Sequence, residues 1–303
     1  MVKELALVSV QMDLGAGRRG VDMGPSAIRI AGLRNMLEGL DYRIREMGTV
    51  VATDPERSDQ QDLHARYLPE IESVCRRARD MVEDALVRGC MPLVLGGDHS
   101  IAIGSVAGVS RFYGRSRERV GLIWVDAHSD MNTPGTSPSG NVHGMPLAVL
   151  TGHGPQVLRS LADRHPAVRP ENVSMIGVRE IDAAEREVVI SSGVRVFTMS
   201  EVDERGIAPC VDEAIARAGA GTAGFHLSYD LDSLDPMIAP GVGTPVPGGL
   251  TFREGHLICE KVARSGRLLS LEVVELNPVL DARNRTAQMA VGLIASALGQ
   301  TIL

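Results

Sequence analysis

Short apolar segments alternate along the chain with longer stretches in which apolar residues recur at helical spacing. The apolar segments predict eight strands, near residues 4–10, 43–51, 92–95, 120–125, 172–177, 194–198, 223–229 and 268–274. The longer stretches predict helices near residues 25–39, 61–89, 155–163, 182–191, 200–218, 251–264 and 284–302. This alternation indicates an α/β fold, in which helices cover both faces of a parallel sheet. No repeat, linker or break in composition interrupts it, so we expect a single domain over residues 1–303.

Composition and charge narrow the classes of function. The chain has a formal net charge of −7 and only 3% aromatic residues. Nucleic-acid-binding proteins need a basic surface and aromatic stacking platforms, so we expect no nucleic-acid partner. No run of 18 apolar residues occurs, so we expect no membrane-spanning helix and no membrane partner. Four scattered cysteines without a C-x-x-C pair, and a start that does not resemble a signal peptide, favour a reduced, cytoplasmic protein.

Four of the predicted strands end in acidic or imidazole side chains. Their sequences are MPLVLGGDHS, VGLIWVDAHSDMN, FHLSYDLDSLDP and LLSLEVVELNP. In an open parallel sheet, binding sites form beyond the carboxyl ends of the strands. The four polar endings therefore predict one shared crevice rather than four separate surface patches.

The composition of this crevice predicts a metal site. Asp126, His128 and Asp130 are spaced two residues apart, so extended backbone would direct all three side chains to one side. Converging carboxylates at apolar strand ends are too costly without positive charge, and two divalent cations would supply it. A ligand set of oxygens and imidazoles without thiolate favours Mn²⁺ or Mg²⁺, and the histidines favour Mn²⁺. The candidate ligands are His99, Asp126, His128, Asp130, Asp230 and Asp232.

Two simpler interpretations compete with parts of this prediction. A single D-x-H or D-x-D sequence is more often a solvated loop, and His128 alone could be a hydrogen-bonded core histidine. Gly15, Gly17 and Gly20 form G-x-G-x-x-G after the first strand, as in dinucleotide-binding proteins. The following helix is predicted to begin only at Pro25, so we interpret these glycines as a flexible loop near the site entrance.

Three of the motifs together resemble a known family. GGDHS, DAHSD and SYDLDSLDP resemble the motifs of the ureohydrolases, which include arginase, agmatinase and formiminoglutamase. The resemblance extends from GRRGVDMGPSAIR to ELNP, and it is closest to the arginase branch because residues 132–144 resemble the loop that receives an amino-acid head group. It implies a three-layer α-β-α fold around an eight-stranded, mostly parallel sheet. It also implies assembly as a homo-trimer or homo-hexamer.

The resemblance further implies a cofactor of two Mn²⁺ ions per chain. One ion would bind His99, Asp126, Asp130 and Asp230. The other would bind His128, Asp126, Asp230 and Asp232, so that Asp126 and Asp230 bridge the pair. Asp98, which precedes His99, is not a ligand in the family pattern and is expected to be structural.

The implied activity is hydrolysis of L-arginine to L-ornithine and urea, a reaction of arginine metabolism and the urea cycle. A metal-bridging hydroxide would attack the guanidinium carbon, with Asp130 orienting the hydroxide. Glu275 would bind the guanidinium with support from Thr244, and His143 would return a proton to the leaving amine. The residues implied to bind the amino-acid head group are Asn132, Ser137 and Ser139 at the α-carboxylate and Asp182 and Glu185 at the α-amino group.

Other functions remain open from the sequence. An agmatinase, or another ureohydrolase with a different guanidino substrate, would share the chemistry and differ at the head group. A deacetylase of the same fold would use a single Zn²⁺ ion. A metal-binding regulatory relative would lack catalysis, although His143 and Glu275 are both present here.

Overall fold

The centre of the structure is a parallel β-sheet. The computed structural model describes residues 3–57 and 62–301. The strands are β1 (Lys3–Gln11), β2 (Tyr42–Val51), β3 (Met91–Leu95), β4 (Gly121–Val125), β5 (Val173–Val178), β6 (Arg195–Thr198), β7 (Phe225–Asp230) and β8 (Leu268–Val274). Their order is β2-β1-β3-β8-β7-β4-β5-β6, and every adjacent pair is parallel. The eight strands predicted from the apolar segments are confirmed.

Helices connect the strands. They are α1 (Gly24–Ile30), α2 (Leu33–Gly39), α3 (Leu68–Val87), α4 (Ala102–Gly114), α5 (Pro146–Leu150), α6 (Gln156–Arg159), α7 (Glu185–Ser192), α8 (Met199–Arg205), α9 (Ile207–Gly219), α10 (Phe252–Ser265) and α11 (Arg285–Ala297). No helix among the described residues is long and apolar enough to cross a bilayer.

Two hydrophobic cores lie on opposite faces of the sheet. Successive strand residues point to opposite faces, so Leu93 and Leu95 of β3 enter one core and Val94 enters the other. The first core is completed by α1, α2 and α8 to α11, and the second by α3 to α7. This is the three-layer α-β-α arrangement that the sequence predicted.

Two of the predicted helices are each divided in the structure, because a glycine interrupts the amphipathic pattern. The stretch 25–39 is divided into α1 and α2 at Gly32, and the stretch 200–218 is divided into α8 and α9 at Gly206. Both glycines have positive φ angles, 97° and 80°, which a helix cannot accommodate. Residue 61 of the stretch 61–89 and residue 302 of the stretch 284–302 lie outside the described residues.

Helix α4 was not predicted. It is apolar on most sides and buried, so it lacks the amphipathic period used to recognise the other helices. Gly104 and Gly108 lie one turn apart on the side that packs against α3, where a Cβ atom would overlap the carbonyl oxygens of Cys75 and Arg79. The glycines that weaken the sequence signal are therefore the residues that allow the two helices to pack closely.

Candidate metal and substrate site

Three carboxylates converge on one buried imidazole beyond the carboxyl ends of β3, β4 and β7. The Nδ1 atom of His99 lies 3.1 Å from Oδ2 of Asp126, 3.1 Å from Oδ2 of Asp130 and 3.0 Å from Oδ2 of Asp230. Burial acts to lower the pKa of His99, but these three carboxylates raise it well above its usual value. Trp124 stacks on the imidazole with ring centres 4.0 Å apart and donates its indole N–H to Asp126 at 2.9 Å.

A second cluster shares Asp126 with the first. Nδ1 of His128 lies 3.0 Å from Oδ2 of Asp232 and 3.5 Å from Oδ1 of Asp126. The two groups whose ligand atoms could meet at an ion are therefore His99, Asp126 and Asp230, and Asp126, His128 and Asp232. Of the two carboxylates expected to bridge, Asp126 belongs to both groups and Asp230 to the first alone.

The residues of these clusters fit divalent cations. His99 Nδ1 and Asp130 Oδ2 are buried without a hydrogen-bond partner, although they lie 3.1 Å from each other. Burial and the charge of Asp126 raise the pKa of Asp130 to about 7, and burial together with Asp232 and Asp126 raises the pKa of Asp230. Buried carboxylates that repel one another and aim unpaired atoms at a common point would be stabilised by bound cations.

The side chains after β4 converge for a different reason from the one predicted. The expectation that extended backbone directs Asp126, His128 and Asp130 to one side is wrong, because β4 ends at Val125 and residues 126–130 form bends and irregular backbone. Asp130 has a φ angle of 50°, in the left-handed region that few non-glycine residues adopt. Its carbonyl oxygen accepts from the backbone N–H groups of Leu147 and Ala148 at the start of α5, which holds it in that conformation.

A cavity of about 410 Å³ opens in front of the two clusters. Asp126 is the one predicted site residue that does not line it. The predicted residues that line the cavity are His99, His128, Asp130, Asn132, Ser137, Ser139, His143, Asp182, Glu185, Asp230, Asp232, Thr244 and Glu275. The sequence prediction did not include Arg18, Asn141 and Glu180, which also line it.

Glu275 and His143 form a buried pair at the side of the cavity. Glu275 follows β8 with a φ angle of 64°, and its Oε1 accepts from the backbone N–H of His99 at 2.8 Å and lies 3.0 Å from Nδ1 of His143. Burial acts to raise the pKa of Glu275, but the hydrogen bond and charge of His143 hold it below its usual value. Burial acts to lower the pKa of His143, but Glu275 raises it to about 9. The pair therefore combines a carboxylate with an imidazolium at neutral pH.

The remaining oxygen of Glu275 is open to the cavity. Its Oε2 lies beside Gly243, at 3.8 Å from the position that a Cβ atom would take there. The resemblance implied that Thr244 supports Glu275, but the Thr244 hydroxyl donates to Oδ2 of Asp232 at 3.0 Å instead. No hydrogen bond joins Thr244 to Glu275 among the described residues, so Thr244 supports the second cluster.

Four of the five predicted head-group residues lie on loops at the mouth of the cavity, and the fifth, Glu185, is the first residue of α7. Asn132 donates to Asp182 at 2.9 Å, which joins the segment predicted to bind a carboxylate to the one predicted to bind an amine. Ser137 and Ser139 accept from the backbone N–H groups of Gly140 and Asn141, which leaves each hydroxyl proton available to a ligand.

Glu185 is more enclosed than the rest of this group. Its Oε1 accepts from the Ser129 hydroxyl and from the Met131 backbone at 2.8 Å, and its Oε2 accepts from the Asp182 backbone at 3.2 Å. Burial raises its pKa. Glu185 thus ties together the two loops that carry the head-group residues.

The glycine-rich loop after β1 packs onto the site rather than onto a helix N-terminus. Gly15 donates its N–H to the buried carboxylate of Asp98 at 2.8 Å, and its carbonyl oxygen accepts from the backbone of His143. A short 3-10 turn separates the loop from α1, which carries Pro25 in its first turn as predicted. This geometry is consistent with the interpretation of the loop as part of the site entrance, and Asp98 holds the loop in place.

The chain is similar to known proteins in sequence and in structure. It matches the family model described as "Arginase family" over residues 3–299. It is 48% identical to the arginase of Brevibacillus brevis over 303 residues, which is 100% of each chain. The solved structure of the arginase from Bacillus caldovelox is 47% identical, covers 99% of this chain and 100% of its own, and superimposes with a TM-score of 0.95.

A fourth similarity shows the fold alone. The structure of a hypothetical agmatinase from Burkholderia thailandensis superimposes with a TM-score of 0.74 but is only 23% identical, over 98% of this chain and 85% of its own. The match to the family model spans nearly all of the sequence, and the arginases are similar to it over their full lengths. This chain therefore belongs to the arginase family.

Proposed function

We propose that this chain is an arginase that hydrolyses L-arginine to L-ornithine and urea, using two Mn²⁺ ions. The observation that carries the proposal is the content of one cavity: ligands from two clusters that share the buried Asp126 form its floor, and the predicted head-group residues form its mouth. Similarity to arginases over the full length of the chain supports the same activity.

Six side chains would hold the ions. One ion would be bound by His99, Asp126, Asp130 and Asp230, and the other by Asp126, His128, Asp230 and Asp232. When bound, the ions lower the pKa of a water molecule and so supply the nucleophile that the resonance-stabilised guanidinium group requires. Oxygen-rich ligation with two imidazoles and no thiolate favours Mn²⁺ over Zn²⁺.

Glu275 and His143 would act on the two sides of the bond that breaks. The open Oε2 of Glu275 would accept a charge-assisted hydrogen bond from the substrate guanidinium and set its carbon above the ligand clusters. When the C–N bond to the side-chain nitrogen breaks, that nitrogen leaves as the amine of ornithine and needs a proton. His143, protonated because Glu275 raises its pKa, would donate that proton.

The loops at the mouth would select the amino-acid end of the substrate. The hydroxyl protons of Ser137 and Ser139 and the Asn132 amide would bind the α-carboxylate. Asp182 would bind the α-amino group, and Glu185 would contribute mainly by holding the two loops together. A substrate without the carboxylate would leave these donors unsatisfied, so we expect arginine to be preferred over agmatine.

Urea release tests the proposal directly. Protein stripped of metal by a chelator is assayed with L-arginine and with agmatine, before and after Mn²⁺ is restored. We expect urea from arginine only after Mn²⁺ is added, with two ions bound per chain. Urea mainly from agmatine would identify an agmatinase, and a single bound Zn²⁺ with activity on amides would identify a deacetylase.

Three further predictions belong to this proposal. We propose that the chain acts as a single domain, which a single cooperative unfolding transition would support. We propose assembly as a homo-trimer or homo-hexamer, and size-exclusion chromatography with light scattering measures the molar mass of the assembly. Four free, buried cysteines support the proposed cytoplasmic location, which cell fractionation tests.

A further inference from the structure

A buried acidic residue lies beneath the first ligand cluster, on the side away from the cavity. Glu272 belongs to β8, where it lies between Leu271 and Val273, and its side chain is fully buried. Burial of a carboxylate costs free energy unless hydrogen bonds or charges compensate for it. Neither the proposed chemistry nor substrate binding uses this residue, so its burial needs another explanation.

Hydrogen bonds connect Glu272 to the first cluster. The Ser228 hydroxyl donates to Oε1 of Glu272 at 2.7 Å, and the same oxygen of Ser228 lies 2.8 Å from Nε2 of His99. The other carboxylate oxygen accepts from the hydroxyl of Ser105 on α4, and Nε2 of His226 lies 3.3 Å from Oε1. Glu272 is thus held from two sides and reaches His99 through one hydroxyl.

The direction of these hydrogen bonds determines which nitrogen of His99 carries a proton. A carboxylate only accepts, so the single proton of the Ser228 hydroxyl points at Glu272. The hydroxyl oxygen therefore presents a lone pair to Nε2 of His99, and Nε2 must be the N–H. In neutral His99, this leaves the lone pair on Nδ1, which is the atom that faces Asp126, Asp130 and Asp230.

The second cluster has no equivalent support among the described residues. The Nε2 atom of His128 is 3.9 Å from the carboxylate of Glu180, whose side chain is 64% exposed. An exposed carboxylate at that distance does not hold the imidazole in one orientation. The two predicted ion positions therefore differ in the hydrogen bonding of their histidines: buried partners fix the orientation of His99, and no such partner within the described part of the chain fixes that of His128.

We propose that Glu272 is a positioning residue for the metal site: acting through Ser228, it holds His99 in the tautomer that presents Nδ1 to the first ion. The inference rests on the proposed two-ion site. According to this proposal, Glu272 increases the affinity for the first ion and has no effect on the affinity for the second ion. Hydrogen-bond partners behind a ligating histidine commonly contribute 10–100-fold to metal affinity.

Binding of Mn²⁺ to the metal-free, full-length protein tests this assignment. The variant Glu272→Gln keeps the size of the side chain, but its amide can donate to Ser228 and reverse the hydrogen bond. Calorimetric titration should show the affinity for one of two ions falling about 10–100-fold, while the other ion binds as in the wild type. At limiting Mn²⁺, the variant should retain one ion per chain where the wild type retains two.

A pair of serine variants on one helix provides a matched control. Ser105 and Ser110 are both buried in α4. The Ser105 hydroxyl donates to Glu272 and also lies 3.2 Å from the carbonyl of Ala102, while the Ser110 hydroxyl donates to the carbonyl of Ala167 at 2.8 Å. We expect Ser105→Ala to weaken the same ion as Glu272→Gln by a smaller factor. Ser110→Ala should leave both ion affinities unchanged.

The outcomes separate the two proposals. If the wild type binds two Mn²⁺ ions and Glu272→Gln binds both with unchanged affinity, or weakens both equally, the positioning role is wrong. A fall in the melting temperature of metal-free Glu272→Gln with unchanged affinities would assign Glu272 to the fold alone. If the wild type itself binds no pair of ions, the proposed function is wrong as well. If Glu272→Gln does not fold, the Mn²⁺ affinities of Ser105→Ala and Ser110→Ala are compared instead. Equal affinities in these two variants would contradict the positioning role.

Discussion

The two ends of the cavity are built in different ways. At its floor, Asp230 and Asp232 are at most 2% exposed and lie at the carboxyl end of β7, in the middle of the sheet. At its mouth, Ser139 and Asp182 are exposed and lie on loops that hydrogen bond mainly to each other and to their own backbone. The sheet therefore positions the groups proposed for chemistry, and the loops position those proposed for selection of substrate.

This difference has a consequence for substitutions. A buried ligand at the floor has neighbours on every side, so its loss leaves unpaired charges that water cannot reach. A residue at the mouth can be replaced by solvent at smaller cost. We expect changes at the floor to alter metal content and turnover, and changes at the mouth to alter KM with the metal retained.

The shared ligand should give the largest effect. Asp126 belongs to both clusters and Asp232 to the second alone, so Asp126→Asn should lose both ions and Asp232→Asn only one. Removing one partner from a buried set of charges costs about 3–5 kcal/mol, or roughly a hundredfold to several thousandfold in affinity. Metal analysis after dialysis measures the retained ions. Retention of one ion by Asp126→Asn would show that Asp126 does not bridge.

His143 lies between the two ends and should separate turnover from metal binding. His143→Asn keeps a polar side chain but cannot donate the proton at the leaving amine, so we expect kcat to fall about 10²–10⁴-fold. Its Mn²⁺ content should equal that of the wild type, because no cluster includes His143. Loss of bound metal in this variant would instead make His143 a ligand.

Removal of bound metal should lower the free energy of unfolding of the protein. Bound cations offset the repulsion that raises the pKa of Asp130 and Asp230, so Mn²⁺ at a hundredfold excess over its Kd should stabilise the fold by about 2.7 kcal/mol per site. Thermal melting with and without Mn²⁺ should differ by several degrees. Asp126→Asn is the control, since it should show almost no Mn²⁺-dependent shift.

Asp182 should give the smallest effect and one confined to substrate binding. The variant Asp182→Asn removes the charge but can still accept from Asn132, so it isolates the proposed contact with the α-amino group. A hydrogen bond to a charged group contributes about 1.5–3 kcal/mol, so KM for arginine should rise roughly 10–150-fold. KM for 5-guanidinopentanoate, which lacks the amino group, should hardly change. An equal rise for both compounds would remove the proposed amino contact.

The sequence predicted the sheet and the floor of the cavity better than the mouth. Continuous apolar segments ending in Asp or His indicated both a buried strand and the polar group at its carboxyl end, and all six predicted ligands meet in the structure. Their convergence still depended on irregular backbone at residues 126–130, which no simple periodicity describes. The residues at the mouth could be predicted only from the family resemblance, because loops lack the regular side-chain periodicity by which strands and helices can be recognised in a sequence.

The hydrogen bonds by which Glu272 reaches the ligand His99 were not predicted, although the sequence contained a signal for them. Glu272 lies next to Leu271 and Val273 in the buried part of β8, and a charged residue that is fully buried needs a partner. Its partners Ser105 and Ser228 are 167 and 44 residues away in the chain. Spacing along the sequence cannot identify such partners, since the order of the strands brings them together.

The left-handed backbone at Asp130 bears on how this protein would respond to laboratory evolution. A non-glycine residue held in that conformation costs on the order of 1–3 kcal/mol, and the Asp130 carboxylate is also repelled by Asp126 when no ion is bound. Glycine adopts the same backbone without strain and brings no charge. Selection for heat resistance alone, in the absence of Mn²⁺ and of any demand for activity, would therefore favour glycine at this position and eliminate the ligand.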